Sequence, residues 1–280
     1  MAFLFGGTRQ YEIKKNKTIL ARINHDKSLI THHHIPCAEH TLHYVSSPNI
    51  NTQTQAKSTV VFVHGTPGSW ASFSRYFENN NITNDFSIHA IDRPGWGESG
   101  YDKNQFPYSL SEQSRLIGPM LEAIWKSNNQ HKVLLVGHSL GGSLVPKLAV
   151  DYPQYVKGVI VLAGDLDPEL SEARWFNKAM TWLPEFCFPK SWVDSNKEVL
   201  AIQPSLADLQ VEFSALSMPI SVLQGSHDGL VRPENAAKAS AIFSSAEVEV
   251  IMLDGASHII NLTHVSEVKD AITNMFKKCC

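Results

Sequence analysis

Two hydrophobic patterns alternate along the chain: short β-branched runs, and longer segments with apolar residues at helical spacing. The short runs predict strands, and several are apolar throughout, as expected of strands buried on both faces of a sheet. The predicted strands are Thr59–His64, Ser87–Asp92, Lys132–Gly137, Gly158–Ala163, Ile220–Gln224 and Val248–Leu253. The predicted helices are Leu110–Lys126, Ser139–Asp151, Glu234–Phe243 and Val265–Lys277. This order predicts an α/β fold with a mostly parallel sheet covered by helices.

Upstream of these elements, Tyr11–Arg22 and Thr41–Val45 predict leading antiparallel strands, and the weakly patterned Asn24–His40 between them predicts a loop. That loop contains His32-His33-His34. Three adjacent side chains of an extended chain cannot all converge on one ion, because successive residues point to opposite faces. We therefore expect a solvated loop there, and no metal site.

The alternation stops between residues 165 and 217, where no core strand is evident and aromatic residues crowd together. Such an insertion predicts a helical cap that roofs an apolar pocket. An ordinary helical layer packed on the core is the alternative interpretation. The predicted division is 1–57 for an N-terminal extension with leading strands, 58–164 with 218–280 for the core, and 165–217 for the cap.

The composition is that of one globular domain of 280 residues, and it restricts the partners. A net charge of −3 without a long basic run argues against nucleic acid, and no apolar run is long enough to span a membrane. We expect a small neutral substrate and a monomer or homodimer. The cysteines, which are Cys37, Cys187, Cys279 and Cys280, lack zinc-site spacing and predict free thiols in a reducing, cytoplasmic compartment. The sequence is equally compatible with an export signal that has been removed before Phe3.

Gly137-His138-Ser139-Leu140-Gly141 lies between an apolar run and a helical pattern and predicts a nucleophile elbow. A serine on such a tight turn needs small residues two positions to either side, and glycine supplies them. The helix N-terminus that follows adds positive potential beside the reacting oxygen.

A serine hydroxyl needs a base, and the base needs a carboxylate that orients it. Asp228 and His258 each follow an apolar run, in the order Ser, Asp, His, so both would lie with Ser139 at the carboxyl ends of strands. Asp165 and Asp167 are alternative positions for the acid, and the spacing to His258 favours Asp228.

An acyl-transfer transition state also needs hydrogen-bond donors for its oxyanion. His64-Gly65-Thr66-Pro67-Gly68 follows another predicted strand and offers the backbone N–H of Thr66, with that of Leu140 as its partner. Pro67 has no N–H and cannot contribute.

Together with Asp92-Arg93-Pro94-Gly95-Trp96-Gly97-Glu98-Ser99, these motifs resemble the α/β-hydrolase fold superfamily over about residues 58–278. The resemblance implies an eight-stranded, mostly parallel sheet, a cap inserted after the sixth strand, and no cofactor. The chain is similar to the esterase and lipase-like members. It differs from the haloalkane dehalogenases and epoxide hydrolases, whose nucleophile is an aspartate where this chain has Ser139.

The sequence thus predicts a serine carboxylesterase for small-molecule esters with short to medium acyl chains. We expect aromatic side chains to contact the substrate, namely Trp70, Trp175, Phe176, Trp182 and Phe186. A C–C bond hydrolase, an aminopeptidase or a perhydrolase would use the same triad. The alternative to an enzyme is a receptor-like protein that binds a ligand in the same pocket and hydrolyses it slowly or not at all.

Overall fold

The computed structural model describes residues 7–26, 28–37, 39–48, 58–78, 80–101 and 105–279. In this part of the chain, an eight-stranded sheet has the order β1-β2-β4-β3-β5-β6-β7-β8. The strands are β1 (Thr31–Cys37), β2 (His40–Ser46), β3 (Ser58–Val63), β4 (Phe86–Ile91), β5 (Val133–His138), β6 (Val156–Leu162), β7 (Ile220–Gly225) and β8 (Val248–Leu253). The β1–β2 and β2–β4 pairs are antiparallel, and the other pairs are parallel. The predicted mostly parallel eight-stranded sheet is therefore confirmed.

Helices cover the sheet on both faces. They are α1 (Gly7–His25), α2 (Ser74–Glu78), α3 (Asn80–Thr83), α4 (Leu110–Ser127), α5 (Leu140–Asp151), α6 (Trp175–Met180), α7 (Lys190–Ser214), α8 (Glu234–Ile242), α9 (Ile260–Thr263) and α10 (Val265–Lys278). Apolar residues of α4, α5, α7 and α8 form one core cluster, and those of α1, α2 and α10 form the other. Within the described residues, no helix is both long and apolar enough to cross a bilayer.

Burial explains why the central strands read as apolar throughout. All six residues of β5 and of β7 are buried, because each strand has a neighbour on either side and helices on both faces. β8 is at the edge, and there Val250 and Met252 are 38% and 48% exposed.

The N-terminal prediction was half wrong. Thr41–Val45 does lie in a strand, β2, but Tyr11–Arg22 lies in helix α1 and not in a strand. Ile19 and Ile23 are one helical turn apart and both are buried in the core. This i, i+4 spacing is a helical signal that the strand interpretation overlooked.

The predicted loop Asn24–His40 contains edge strand β1, in which every residue from Thr31 to Cys37 has a partner on β2. Most residues of β1 are polar, and all of them are exposed or partly exposed. Backbone pairing with β2 therefore makes this a strand where the hydrophobic pattern does not. The histidine run belongs to a sheet edge and is not a solvated loop.

The chain between β6 and β7 forms α6, a 3₁₀ turn (Glu185–Cys187) and α7. The C-terminal half of α7 packs into the core through Leu206, Leu209 and Phe213. The segment before α7 is largely exposed. The insertion thus combines an exposed part with a part that packs on the core as a helical layer. Its interpretation as a cap and its boundaries as a domain stay predictions.

Cys37, Cys187 and Cys279 carry thiols without a disulfide bond among them. Cys280 lies outside the described residues. The cytoplasmic location stays a prediction.

Candidate active site

Ser139 occupies a strained turn between β5 and α5, with φ of 56° and ψ of −125°. Non-glycine residues rarely adopt positive φ, and such strain is concentrated at functional sites. Close packing explains the flanking glycines. A Cβ on Gly141 would lie 2.2 Å from the Val63 carbonyl oxygen, and one on Gly137 would lie 2.1 Å from the Gly141 carbonyl oxygen. The turn therefore places the Ser139 side chain at the carboxyl end of the sheet.

Three residues that are far apart in the sequence form one hydrogen-bonded chain there. His258 Nε2 lies 3.0 Å from Ser139 Oγ, and His258 Nδ1 lies 2.8 Å from Asp228 Oδ2. Because an ionised carboxylate can only accept, neutral His258 carries its proton on Nδ1 and presents the Nε2 lone pair to the hydroxyl. This arrangement can take a proton from Ser139 and return it to a leaving group.

The loop after β7 holds Asp228 in its ionised form. Its Oδ1 accepts from the backbone N–H groups of Leu230 at 2.8 Å and Val231 at 3.0 Å, and its Oδ2 accepts from Gln224 Nε2 at 3.0 Å. Burial alone would raise the pKa of Asp228. The His258 hydrogen bond and charge, with the two N–H groups, outweigh burial and lower that pKa.

Asp165 is near the same histidine but has other partners. Its Oδ1 accepts from Ser171 Oγ at 3.0 Å, and burial raises the pKa of Asp165 to about 6. Asp167 points elsewhere, toward Lys238 Nζ at 2.9 Å. Among the three carboxylates, the one hydrogen-bonded to His258 is that of Asp228, and its role as the triad acid stays a prediction.

The loop after β3 lies directly against Ser139. A Cβ on Gly65 would lie 2.8 Å from the Ser139 Cβ, so only glycine allows this approach. Leu140 begins α5, and its N–H therefore has no helical acceptor of its own. Thr66 and Leu140 both line the cavity beside Ser139. Among the described residues, Thr66 Oγ1 is buried and has no hydrogen-bond partner.

Arg93 holds the same loop in place through hydrogen bonds, a role that was not predicted from the sequence. The fully buried guanidinium donates to the carbonyl oxygens of His64 at 2.9 Å and Gly65 at 3.0 Å. It also donates to both carboxylate oxygens of Glu198 on α7, at 2.6 and 3.2 Å. The signal in the sequence was an arginine directly after a buried strand, which has to be paired. Its partner stands 105 positions away and could not be identified.

Two further histidines hold the backbone around the site. His138 Nε2 lies 2.9 Å from the carbonyl oxygen of His258. Burial and then the charge of Arg93 lower the pKa of His64 to about 3, so this imidazole is neutral. It can therefore accept from the Arg93 backbone N–H at 3.0 Å. His227 is exposed.

Ser139, His258 and Asp165 line a cavity of about 590 Å³. Of the aromatic residues predicted to contact the substrate, Phe176 lines this cavity, and the other four do not. Trp175, Trp182 and Phe186 are 79%, 82% and 88% exposed, and none of them lines the cavity. Trp70 is buried in the core instead, and its backbone N–H donates to Asp92 Oδ1. Small and aliphatic residues that the prediction missed line the cavity, among them Leu170, Val199, Ile202, Leu230, Val231 and Ile259.

Within the described residues, one group of side chains has ligand atoms close enough together for a metal ion, namely His32, His43 and Glu98. None of the three lines the cavity.

Comparison with known proteins adds three findings. The family model of the alpha/beta hydrolase fold matches residues 58–187. The chain is 28% identical over 143 residues to a pimeloyl-[acyl-carrier protein] methyl ester esterase of Wigglesworthia glossinidia brevipalpis, covering 50% of this chain and 42% of that protein. It is 30% identical over 141 residues to a probable 1-acylglycerol-3-phosphate O-acyltransferase of Oryza sativa subsp. japonica, covering 48% and 33%. The chain thus matches less than half the length of either relative.

Among solved structures, a putative lipase from Acinetobacter baumannii superposes with a TM-score of 0.66 at 18% identity, over 94% of this chain and 96% of the other. At such identity the likeness concerns the fold. The strand order, the matched family model and this superposition agree. The chain therefore has the α/β-hydrolase fold.

Proposed function

We propose that this protein hydrolyses carboxylic esters with short to medium acyl chains through an acyl-enzyme intermediate. The observation that carries the proposal is the hydrogen-bonded chain from Ser139 Oγ through His258 to Asp228, at 3.0 and 2.8 Å, in which Ser139 and His258 line the cavity. Nucleophile, base and orienting acid are all within hydrogen-bond reach, which is the arrangement that serine acyl transfer requires.

In the proposed reaction, Ser139 Oγ attacks the ester carbonyl carbon while His258 Nε2 takes the hydroxyl proton. The N–H groups of Thr66 and Leu140 donate to the oxyanion as it forms. His258 then protonates the leaving alcohol, and the acyl group stays on Ser139. A water molecule, deprotonated by His258, attacks the acyl-enzyme and releases the acid, which restores the serine hydroxyl.

The cavity supports small esters with uncharged acyl chains. Its lining contributes aliphatic side chains around the triad, and its volume of about 590 Å³ is within the range of small-molecule sites. The names of the relatives, an ester esterase and an acyltransferase, are consistent with acyl chemistry at this fold.

The test is hydrolysis of p-nitrophenyl esters from acetate to palmitate by wild type and Ser139→Ala. The exposed serine variant Ser240→Ala serves as a surface control. We expect turnover that is highest for short or medium chains, that falls by at least about 10³-fold in Ser139→Ala and that is unchanged in the control. Wild type that hydrolyses no ester of the series would overturn the proposal. A persistent acyl adduct on Ser139, detected by intact mass after one slow turnover, would favour the receptor-like alternative.

A further inference from the structure

A second chemical cluster lies at the sheet edge formed by β1 and β2. In the antiparallel register, His34 is opposite His43 and His32 is opposite Val45. Because side chains alternate along a strand, His32, His34 and His43 share one face of the sheet. His33 lies on the other face, where it stacks on Tyr44 with ring centroids 4.5 Å apart. Two of the three consecutive histidines therefore converge after all.

The potential ligand atoms are close together. His32 Nδ1 lies 2.9 Å from His43 Nε2, and the ligand atoms of His32, His43 and Glu98 all lie within 4.8 Å of one another. Two atoms bound to one tetrahedral Zn²⁺ at about 2.1 Å are separated by about 3.4 Å. An ion would thus need to separate the two imidazoles by about half an ångström and draw in the Glu98 carboxylate. His32 and Glu98 are exposed and free to make these small movements.

The buried member of the cluster is already oriented for a metal. His43 is fully buried, and its Nδ1 is held by Asp92 Oδ2 at 2.7 Å. With the proton on Nδ1, neutral His43 directs the Nε2 lone pair toward His32. A carboxylate on the far nitrogen of an imidazole is the usual outer-shell support of a histidine ligand.

The same carboxylate positions the third ligand. Asp92 Oδ2 accepts from the Glu98 backbone N–H at 2.9 Å, so the loop that carries Glu98 is tied to the group that orients His43. Gly97 between them has φ of 57°, and a Cβ there would lie 2.1 Å from Asp92. The loop conformation thus depends on glycine and brings Glu98 to the histidines.

We propose that His32, His43 and Glu98 bind one divalent transition-metal ion of the Zn²⁺ class at this sheet edge. Two imidazoles and one carboxylate suit zinc and its neighbours and do not suit Mg²⁺. His34, whose Nε2 lies 3.9 Å from Glu98 Oε2, is adjacent to the fourth position. To bind through Nδ1, His32 moves its proton to Nε2. The ion would join β1, β2 and the loop after β4, and it would stabilise the folded chain.

The test uses full-length protein purified without a polyhistidine tag. The ligand variant is His32→Asn/Glu98→Gln, which changes two exposed side chains and spares the buried His43. The matched control is His33→Asn, which removes a histidine from the same strand but from the opposite face. Bound metal per chain is measured by elemental analysis after equilibrium dialysis against Zn²⁺ or Mg²⁺, and Tm is measured in parallel.

We expect one Zn²⁺ and no Mg²⁺ per chain in wild type and in His33→Asn, and none in the ligand variant. Tm should rise by about 5 °C at free Zn²⁺ 100 times Kd, except in the ligand variant. Co²⁺ bound to wild type should give the visible absorption of a tetrahedral nitrogen–oxygen site, which reports geometry independently of stability. No bound Zn²⁺ in wild type, or equal binding by all three proteins, would overturn the proposal, since equal binding means unspecific capture by surface histidines.

Discussion

At the scale of single residues, the two carboxylates near His258 differ in what they contact. Asp228 is hydrogen-bonded to the imidazole, and Asp165 is hydrogen-bonded to Ser171. Under the proposed mechanism, only the first can set the tautomer of His258 and stabilise the imidazolium.

We therefore predict that Asp228→Asn lowers kcat by about 10³–10⁴-fold, while Asp165→Asn lowers it by less than about 10-fold. Asparagine keeps the shape of each side chain, so both variants should fold. The measurement is kcat and KM for the best ester of the series. A larger loss in Asp165→Asn than in Asp228→Asn would reassign the acid.

At the scale of elements, Arg93 joins the loop after β3 to helix α7. Its guanidinium holds two carbonyl oxygens of the loop, and Glu198 is its counter-ion on the helix. Trp96 Nε1 also donates to this carboxylate, at 3.0 Å. The insertion between β6 and β7 is thus anchored directly to the loop that carries the proposed oxyanion donor.

Arg93→Met should lower the free energy of unfolding by about 3–5 kcal/mol, because it leaves the Glu198 charge buried without its counter-ion. The double variant Arg93→Met/Glu198→Gln removes both charges and should recover most of that stability. We expect kcat of the double variant to stay about 10–100-fold low with little change in KM, because the oxyanion loop has lost its brace. Urea unfolding and steady-state kinetics measure the two effects separately. Full recovery of kcat together with stability would show that the pair has no positioning role.

The insertion also supplies one aromatic side chain to the cavity. Phe176 lines it, whereas Trp182 is 82% exposed. Phe176→Ala should therefore enlarge the acyl site, shifting the preferred p-nitrophenyl ester to a longer chain and changing relative kcat/KM by about 10-fold. Trp182→Ala is the matched aromatic control from the same insertion and should leave the preference unchanged. Equal shifts in both variants would show that the exposed part of the insertion also contacts substrate.

At the scale of the whole molecule, the carboxyl group of Asp165 lowers stability at neutral pH. The pKa of Asp165 is raised from 3.8 to about 6, so the folded state keeps this proton to higher pH than the unfolded chain does. The contribution of Asp165 to stability is thus full below about pH 4 and is lost as the pH rises through about 6.

Replacing the Asp165 carboxyl by an amide should abolish this pH-dependent loss of stability. We expect Asp165→Asn to unfold with a free energy about 1–2 kcal/mol higher than wild type at pH 7, because Asp165 is partly exposed in the cavity lining and solvent screening reduces the full effect of the pKa shift. The difference should disappear near pH 4. Urea denaturation at the two pH values measures it, and a difference that is independent of pH would assign it to packing.

The order of motifs along the chain determined the fold class and the triad candidates. Buried parallel strands are apolar on both faces, and the tight turn at Gly137–Gly141 is specified by consecutive residues. Both signals are local, so sequence analysis could locate β5 and Ser139 without knowledge of their neighbours.

Other features arise only when distant segments meet. Helix α1 and edge strand β1 have weak local patterns, and packing against the core and pairing with β2 decide them. The pairing of Arg93 with Glu198, the choice of Phe176 over Trp182 for the cavity wall, and the convergence of His32 with His43 and Glu98 are contacts between remote residues. Sequence by itself indicated which side chains are candidates for the proposed chemistry and at which strand ends they lie. Tertiary structure alone decided which of them meet, because contact depends on the path of the whole chain and not on residue type.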